Sequence, residues 1–303
     1  VPNGFAKSLK VAVTTADTSL DAWAEYAIQQ RLEGQDLQRL CKGTSSAKEV
    51  TISFWVKSSL TGTYILEMLD DDNGSRHINK SYTINSANTW EYKSITFAGD
   101  TSGVLDNDNA KSMTISWDLA GGSNFQGGGL QTSWGSLAQT KRQDGQVNFF
   151  ANTGNTFQLT ACQMEVGDTA TPFEHRSYGE ELAKCQRYFY LKGSGTGFGS
   201  AESGAGAYAN MYALPERHPV EMRATPTFSF ISGGSTYFAG GAGVTVGTPS
   251  SDAGTVQNSV HSLLSINSST TGVNRLSIGA GFSFQRGQSY CSTANFIQVD
   301  AEL

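Results

Sequence analysis

Two-residue alternation of apolar and polar side chains is the feature that most restricts what this chain can fold into. In "VTISFWVKS" (50–58), Ile52, Phe54 and Val56 share one face of an extended strand, and Thr51, Ser53, Trp55 and Lys57 share the other. "WEYKSITFAG" sets Ile95 and Phe97 against Trp90, Tyr92, Ser94 and Thr96. In "SMTISWDLAGG", Met113, Ile115, Trp117 and Leu119 fall on a single face, which is a core pattern. Further strands are expected at "TYILEML", "VNFF" and "TFQLTACQMEVG", with "DDDNGS" as a turn. Short strands at this spacing predict an antiparallel β-sandwich. Residues 17–40 stay open: Leu20, Trp23, Ala27 and Leu32 fit a helical stripe, and a strand over Tyr26–Leu32 followed by a helical turn at Asp36–Leu40 fits equally.

One segment breaks the β texture. In "ATPFEHRSYGEELAKCQRYF" (170–189), Ser177 and Glu180 form a capping box, and Pro172 favours extended chain before it. Tyr178, Leu182, Cys185 and Phe189 then make one apolar stripe, expected to pack on a β domain or a neighbouring chain. Beyond it the chain is richer in Gly and poorer in large apolar residues. The expected organisation is therefore all-β: a sandwich over 1–174, a linking helix over 175–189, and a Gly-rich C-terminal β-sandwich domain over 190–303. Strands are expected there near 207–213, 227–231, 236–238, 243–247, 259–266, 274–283 and 295–302. No repeat of fixed period points to a solenoid or β-helix.

Composition excludes several functions. With 34 Gly in 303 residues and 16 % charged side chains, the chain favours turns and short strands over long helices. A net charge of −6 and no Lys/Arg cluster argue against nucleic acid. The longest apolar runs are too short to span a bilayer, so no membrane insertion is expected. The chain opens on "VPNG", with neither Met nor a signal-peptide pattern, as expected of a processed chain or the C-terminal part of a longer one. Cys41, Cys162, Cys185 and Cys291 lie far apart without a CxxC pair, so free, partly buried thiols in a reducing cytoplasm are expected.

Catalytic patterns are missing. There is no GxSxG elbow, HExxH or GxxxxGK[ST], and His77, His175, His218 and His261 are scattered singly. The chain is read as no enzyme, with no cofactor. Aspartates at alternating spacing in "DDDNG" and "DNDN" make Asp70, Asp72, Asp106 and Asp108 candidates for a structural calcium, against the commoner alternative of Asx-rich turns. Aromatic faces beside polar groups suit sugars, whose C–H faces stack while their hydroxyls hydrogen-bond. Trp55, Trp90, Tyr92 and Trp134 are the candidates, each weighed against a packing role.

The segments "EGQDLQRL", "AKEVTISFWVKSS", "NTWEYKSITFAGDTSG", "LTACQMEVGDTATPFEHRSYGEELAKCQRYF" and "PVEMRATPT", with the terminal "VDAEL", resemble tail-fibre and related appendage proteins of tailed bacteriophages. Those of phages infecting aquatic and cyanobacterial hosts are the most similar. The strand pattern also resembles the jelly-roll sandwich of carbohydrate-binding modules. The resemblance covers most of residues 25–230. It implies a jelly-roll fold and a virion location after assembly in the host cytoplasm. It further implies a parallel homotrimer, with a host cell-surface polysaccharide and other virion tail proteins as partners. It transfers no binding residue. The expected function is receptor binding during adsorption; a structural adaptor or decoration protein and a glycan depolymerase are the alternatives.

Overall fold

The computed structural model describes residues 1–190 in full, residues 219–224 and Ala301, and the backbones of the other strands named below. The chain divides into two compact units, Val1–His175 and Arg176–Leu303.

The first unit is one long antiparallel ribbon folded over on itself. Its strands are β1 (Leu9–Ala12), β2 (Glu25–Glu33), β3 (Val50–Ser58), β4 (Gly62–Asp70), β5 (Arg76–Ile84), β6 (Glu91–Phe97), β7 (Lys111–Gly121), β8 (Gly135–Ser136) and β9 (Thr156–Val166). β4 and β5 form the hairpin at the ribbon's tip, turning through Gly74 and Ser75 at positive φ. Behind the tip, β3 pairs with β6, β2 with β7 and β1 with β9. Wrapping the ribbon gives two sheets, β1-β9-β3-β6 and β2-β7-β4-β5-β8. This is the jelly-roll sandwich.

The core forms where the two inner faces meet. Ile52, Phe54, Val56, Ile95 and Phe97 of the first sheet are buried, as are Tyr64, Leu66, Met68, Met113, Ile115, Trp117 and Leu119 of the second. Phe54 meets Trp117 edge-on at 5.8 Å and Tyr82 at 5.2 Å. Each such side chain contributes about 1.5–3 kcal/mol on burial, which makes the alternation decisive for the fold. The Tyr64 hydroxyl, pushed up to about 12 by burial, is held by Ser58 and the Leu60 carbonyl.

Three local expectations are resolved or corrected. Residues 25–40 form strand β2, then α1 (Gly34–Leu37) and a 3₁₀ turn over Gln38–Leu40, the second of the two readings. "VNFF" is not a strand: the Asn148 side chain accepts from the Phe150 N–H at 3.0 Å and a 3₁₀ turn forms over Phe149–Ala151. Strand β5, "RHINKSYTI", was not expected, because its outer-face residues His77 and Asn79 are polar yet fully buried.

The second unit begins with α2 (Tyr178–Tyr188), capped as expected. Ser177 Oγ accepts from the Glu180 N–H, and the Glu180 carboxylate accepts from the Ser177 N–H. Within the chain its stripe does not pack on a β domain: Tyr178 is 82 % exposed, Leu182 and Cys185 are exposed, and only Phe189 is partly covered, which leaves the neighbouring-chain alternative. β10 (Phe189–Lys192), β18 (Ile297–Asp300) and β12 (Thr227–Phe230) form one antiparallel sheet. Two further sheets join β11 (Met211–Arg217), β16 (His261–Asn267) and β15 (Thr255–Val256), and β14 (Thr245–Val246), β13 (Tyr237–Ala239) and β17 (Ser289–Cys291). The strand expected at 274–283 lies outside the described residues. Among the described residues, no helix is long and apolar enough to cross a membrane.

Candidate functional site

The solvent-side face of the first sheet gathers three of the four aromatic candidates. Trp55 lies directly across from Tyr92 on β6 and from Thr160 on β9. The Trp55 and Tyr92 rings are 5.5 Å apart at 55°, and Tyr92 is 45 % exposed. Trp90, just before β6, is partly exposed, with the Lys57 ammonium 5.3 Å from its ring centroid. Strand parity puts them there: Phe54 and Val56 point into the core, so Trp55 and Lys57 must point out. A β-bulge in β9 at this level, with Ala161 at φ 52°, re-registers that strand so that Thr160 stands opposite Trp55.

The other end of the same face is covered by the chain leaving β9. The Glu165 carboxylate accepts from the Thr171 N–H at 3.0 Å, and Gln163 Oε1 accepts from the Glu174 N–H at 2.7 Å. Thr51 and Thr96 donate to the Gly167 and Asp168 carbonyls. Phe5, Phe173 and His175 pack their rings together beyond them at 5.1–5.3 Å. Thr51 and Ser53 are buried in consequence, while the Trp55–Lys57 end and Ser94 on the β6 edge stay open.

Trp134 does not join this group. Its indole N–H donates to the Ala98 carbonyl at 2.7 Å, and its ring packs on the core with the Lys42 ammonium 5.4 Å from its centroid. That ammonium is buried among the Asp70 carboxylate, Asp100 Oδ2 at 3.1 Å, and the Ser102 and Gly103 carbonyls at 3.0 and 2.9 Å. Arg76 adds a two-pronged contact to Asp100 at 2.8 and 3.0 Å. Burial pushes the Asp100 carboxyl up, but Arg76, the Ser102 N–H and Lys42 outweigh it and hold it below the usual range.

Of the calcium candidates, Asp70 and Asp108 form turns and Asp72 ties one loop to the next. Asp70 Oδ1 accepts from the Asp72 and Asn73 N–H groups, Asp72 from the Asp106 N–H, and Asp108 from the Ala110 N–H. Lys42 supplies the positive charge at Asp70. Among the described residues, no three His, Cys, Asp or Glu side chains are grouped to hold a metal. Cys41, Cys162 and Cys185 are free; Cys185 is exposed where partial burial was expected, whereas the Cys162 residue is exposed at the bulge but its thiol is pushed up to about 12 by burial, and the Cys291 side chain lies outside the described residues.

A second polar cluster escaped the sequence reading. On the outer face of the second sheet, Glu67, His77, Asn79 and Asp118 are fully buried under residues 122–146, which cross that face as a strap. Arg142 reaches down between two carboxylates. Its guanidinium donates to Glu67 at 2.5–3.1 Å and to Glu25 at 2.7 and 3.0 Å. His77 Nε2 accepts from the Ala138 N–H, so its other nitrogen, Nδ1, carries the proton and donates to Glu67 at 2.9 Å. Burial pushes Glu67 up, but His77 and Arg142 overcome this and hold it below the usual carboxylate range. Asp118 goes the other way: burial and the Glu67 charge push it well up. At Gly121 a Cβ would lie 1.7 Å from the Gln143 side-chain oxygen, so a larger residue there would have to displace that buried amide.

No protein-family model and no curated protein matches the chain. Solved structures similar to it include one described as "CBM4 structure and function", with 13 % identity over 55 % of this chain and 73 % of that chain and a TM-score of 0.29. Another is "Family 16 Carbohydrate Binding Module-2", at 10 % identity over 54 % and 79 % with a TM-score of 0.25.

Proposed function

We propose that this chain is a non-enzymatic appendage protein of a tailed phage that engages a host-surface glycan through the Trp55–Tyr92–Trp90 face. One observation carries the reading: three aromatic side chains stand together on the open end of a rigid sheet, with Thr160 opposite Trp55 and Gln158 opposite Lys57. Flat apolar rings beside hydroxyl and amide groups match the alternating C–H and O–H surfaces of a sugar. The depolymerase alternative needs two carboxyl groups reachable by a polymer. Glu67 and Asp118 differ in protonation as an acid and a base would, but both are fully buried beneath the strap. Trimerisation belongs to the same proposal, since several weak sites on one fibre raise avidity.

The exposed Tyr178 and Leu182 favour a second role in docking another virion protein. Incubating the chain with a panel of host polysaccharides, and measuring both retention and release of reducing ends, tests these readings together. Retention without release is expected. Release would make the chain a depolymerase, and neither would leave the adaptor role.

A further inference from the structure

The open face carries positive charge as well as rings, and the cross-strand register places both in one row. Lys57 on β3 stands opposite Gln158 on β9, and Gln158 stands opposite Lys10 on β1. Val11 packs on the core and Ser8 Oγ donates to Gln158, so Lys10 shares the outer face with Gln158 and Lys57. Trp90 ends the row at the β6 edge. The row Lys10–Gln158–Lys57–Trp90 thus crosses the whole sheet, about 14 Å at the usual strand spacing, with the two ammonium groups' strands about 10 Å apart. The next row holds Thr160, Trp55 and Tyr92.

What sets Lys57 apart is an ammonium held over a ring with no ion pair; among the described residues Lys7, Lys10, Lys48, Lys80, Lys141 and Lys184 likewise lack a partner carboxylate. Lys42, Lys93 and Lys111 each sit on one: Asp70 and Asp100, Glu91, and Asp71 respectively. Among the described residues, neither Lys57 nor Lys10 forms an ion pair, and Lys57 is partly buried against Trp90. Holding a cation against a ring without a counter-ion fits a face whose counter-ion arrives with its ligand. In a chain of net charge −6, this is a local reversal of sign.

We infer, resting on the glycan-binding reading above, that the polysaccharide taken by this face is anionic. Its sugar rings lie on Trp55 and Tyr92, and its carboxylate or sulfate groups meet Lys57 and Lys10. Binding of the full chain to alginate (carboxylate), dextran sulfate (sulfate) and dextran (neutral) by affinity electrophoresis tests this, at low salt and at 0.3 M NaCl. At least one anionic polymer is expected to bind about tenfold tighter than dextran, and the two anionic arms identify which group is preferred. Lys57→Gln should weaken that binding about five- to tenfold and flatten its salt dependence, whereas Lys184→Gln on α2 should change neither. Equal binding of dextran and both polyanions, or an unchanged Lys57→Gln, overturns the anionic inference while leaving glycan binding intact. No retention by any of the three or by the host polysaccharides overturns the glycan reading itself.

Discussion

The two sheets of the sandwich have opposite outer faces. On the first, Trp55, Tyr92, Trp90 and Lys57 remain open to solvent at one end. On the second, Glu67, His77, Asn79 and Asp118 are sealed under the 122–146 strap with Arg142 between two glutamates. One face leaves its rings and the Lys57 ammonium accessible to a ligand; the other buries Glu67, His77 and Asn79 to hold a loop. Polar residues on a strand therefore do not identify a binding face. What separates the two is whether a loop covers the face: Asp118 Oδ2, Asn79 Oδ1 and both Gln143 amide atoms are buried without a partner, whereas on the open face Thr160 already donates to the Lys7 carbonyl.

The largest effect is expected on the closed face. Arg142→Met leaves Glu67 buried without its main counter-charge, and should cost about 3–5 kcal/mol in urea unfolding. Polysaccharide binding should survive at temperatures where the variant is folded. If Arg142→Met abolishes binding but not stability, the roles assigned to the two faces are reversed.

Trp55→Ala is the counterpart on the open face. Affinity should fall at least tenfold, a loss of about 1.4 kcal/mol, with an unchanged circular dichroism spectrum. If binding persists, the Trp55–Tyr92 pair is packing alone.

Asp118 sharpens the comparison through pH. Its folded pKa is raised, so the native chain keeps a proton that the unfolded chain releases. That contribution is fully present below the ordinary aspartate pKa and is lost as pH rises through the raised folded value. Asp118→Asn should therefore stabilise the unit at neutral pH, on the order of 1 kcal/mol, and flatten its stability profile above the ordinary carboxylate range. Glu67 has the opposite sign: its stabilisation is present above the ordinary glutamate pKa and falls away as pH drops through its lowered folded value. Melting curves across pH for Asp118→Asn and the native chain check both signs; no gain at neutral pH would mean that Asp118 is ionised under the strap.

The smallest change is expected outside both faces. With Leu182 exposed, Leu182→Ala should shift stability by no more than about 0.5 kcal/mol. A loss above 1 kcal/mol would show that a second chain covers α2 in solution.

Much of this architecture was legible because burial and alternation coincide in β3, β6 and β7, where one face is apolar throughout. The capping box of α2 was equally plain, since both partners lie within one turn. β5 was hidden because His77 and Asn79 are buried by a loop about 60 residues later, reversing the usual meaning of polar positions. The same distance hid the ion networks: Lys42 and Asp70 are 28 positions apart, and Glu67 and Arg142 are 75 apart. Among the aromatics, parity placed Trp55 and Tyr92 correctly on one face. Nothing local to "GGGLQTSWGS" reveals that Trp134 donates to Ala98 and packs on the core.

The folded-over ribbon also bears on how the chain comes off the ribosome. Leu9 of β1 pairs with Leu159 of β9, 150 residues further on, and this ladder joins the ends of the ribbon. At ordinary translation speeds of 5–20 residues per second, β1 waits about 8–30 s for its partner. The β4–β5 hairpin, by contrast, is complete as soon as its 23 residues, 62–84, have emerged. Folding therefore starts at the tip and closes toward the termini, and pairings of such high sequence separation are slow. Throughout that interval β3 presents a free edge where β9 will later bind, and a neighbouring nascent chain can claim it. Yield of the native protein should accordingly be governed by synthesis rate and crowding of nascent chains more than by final stability.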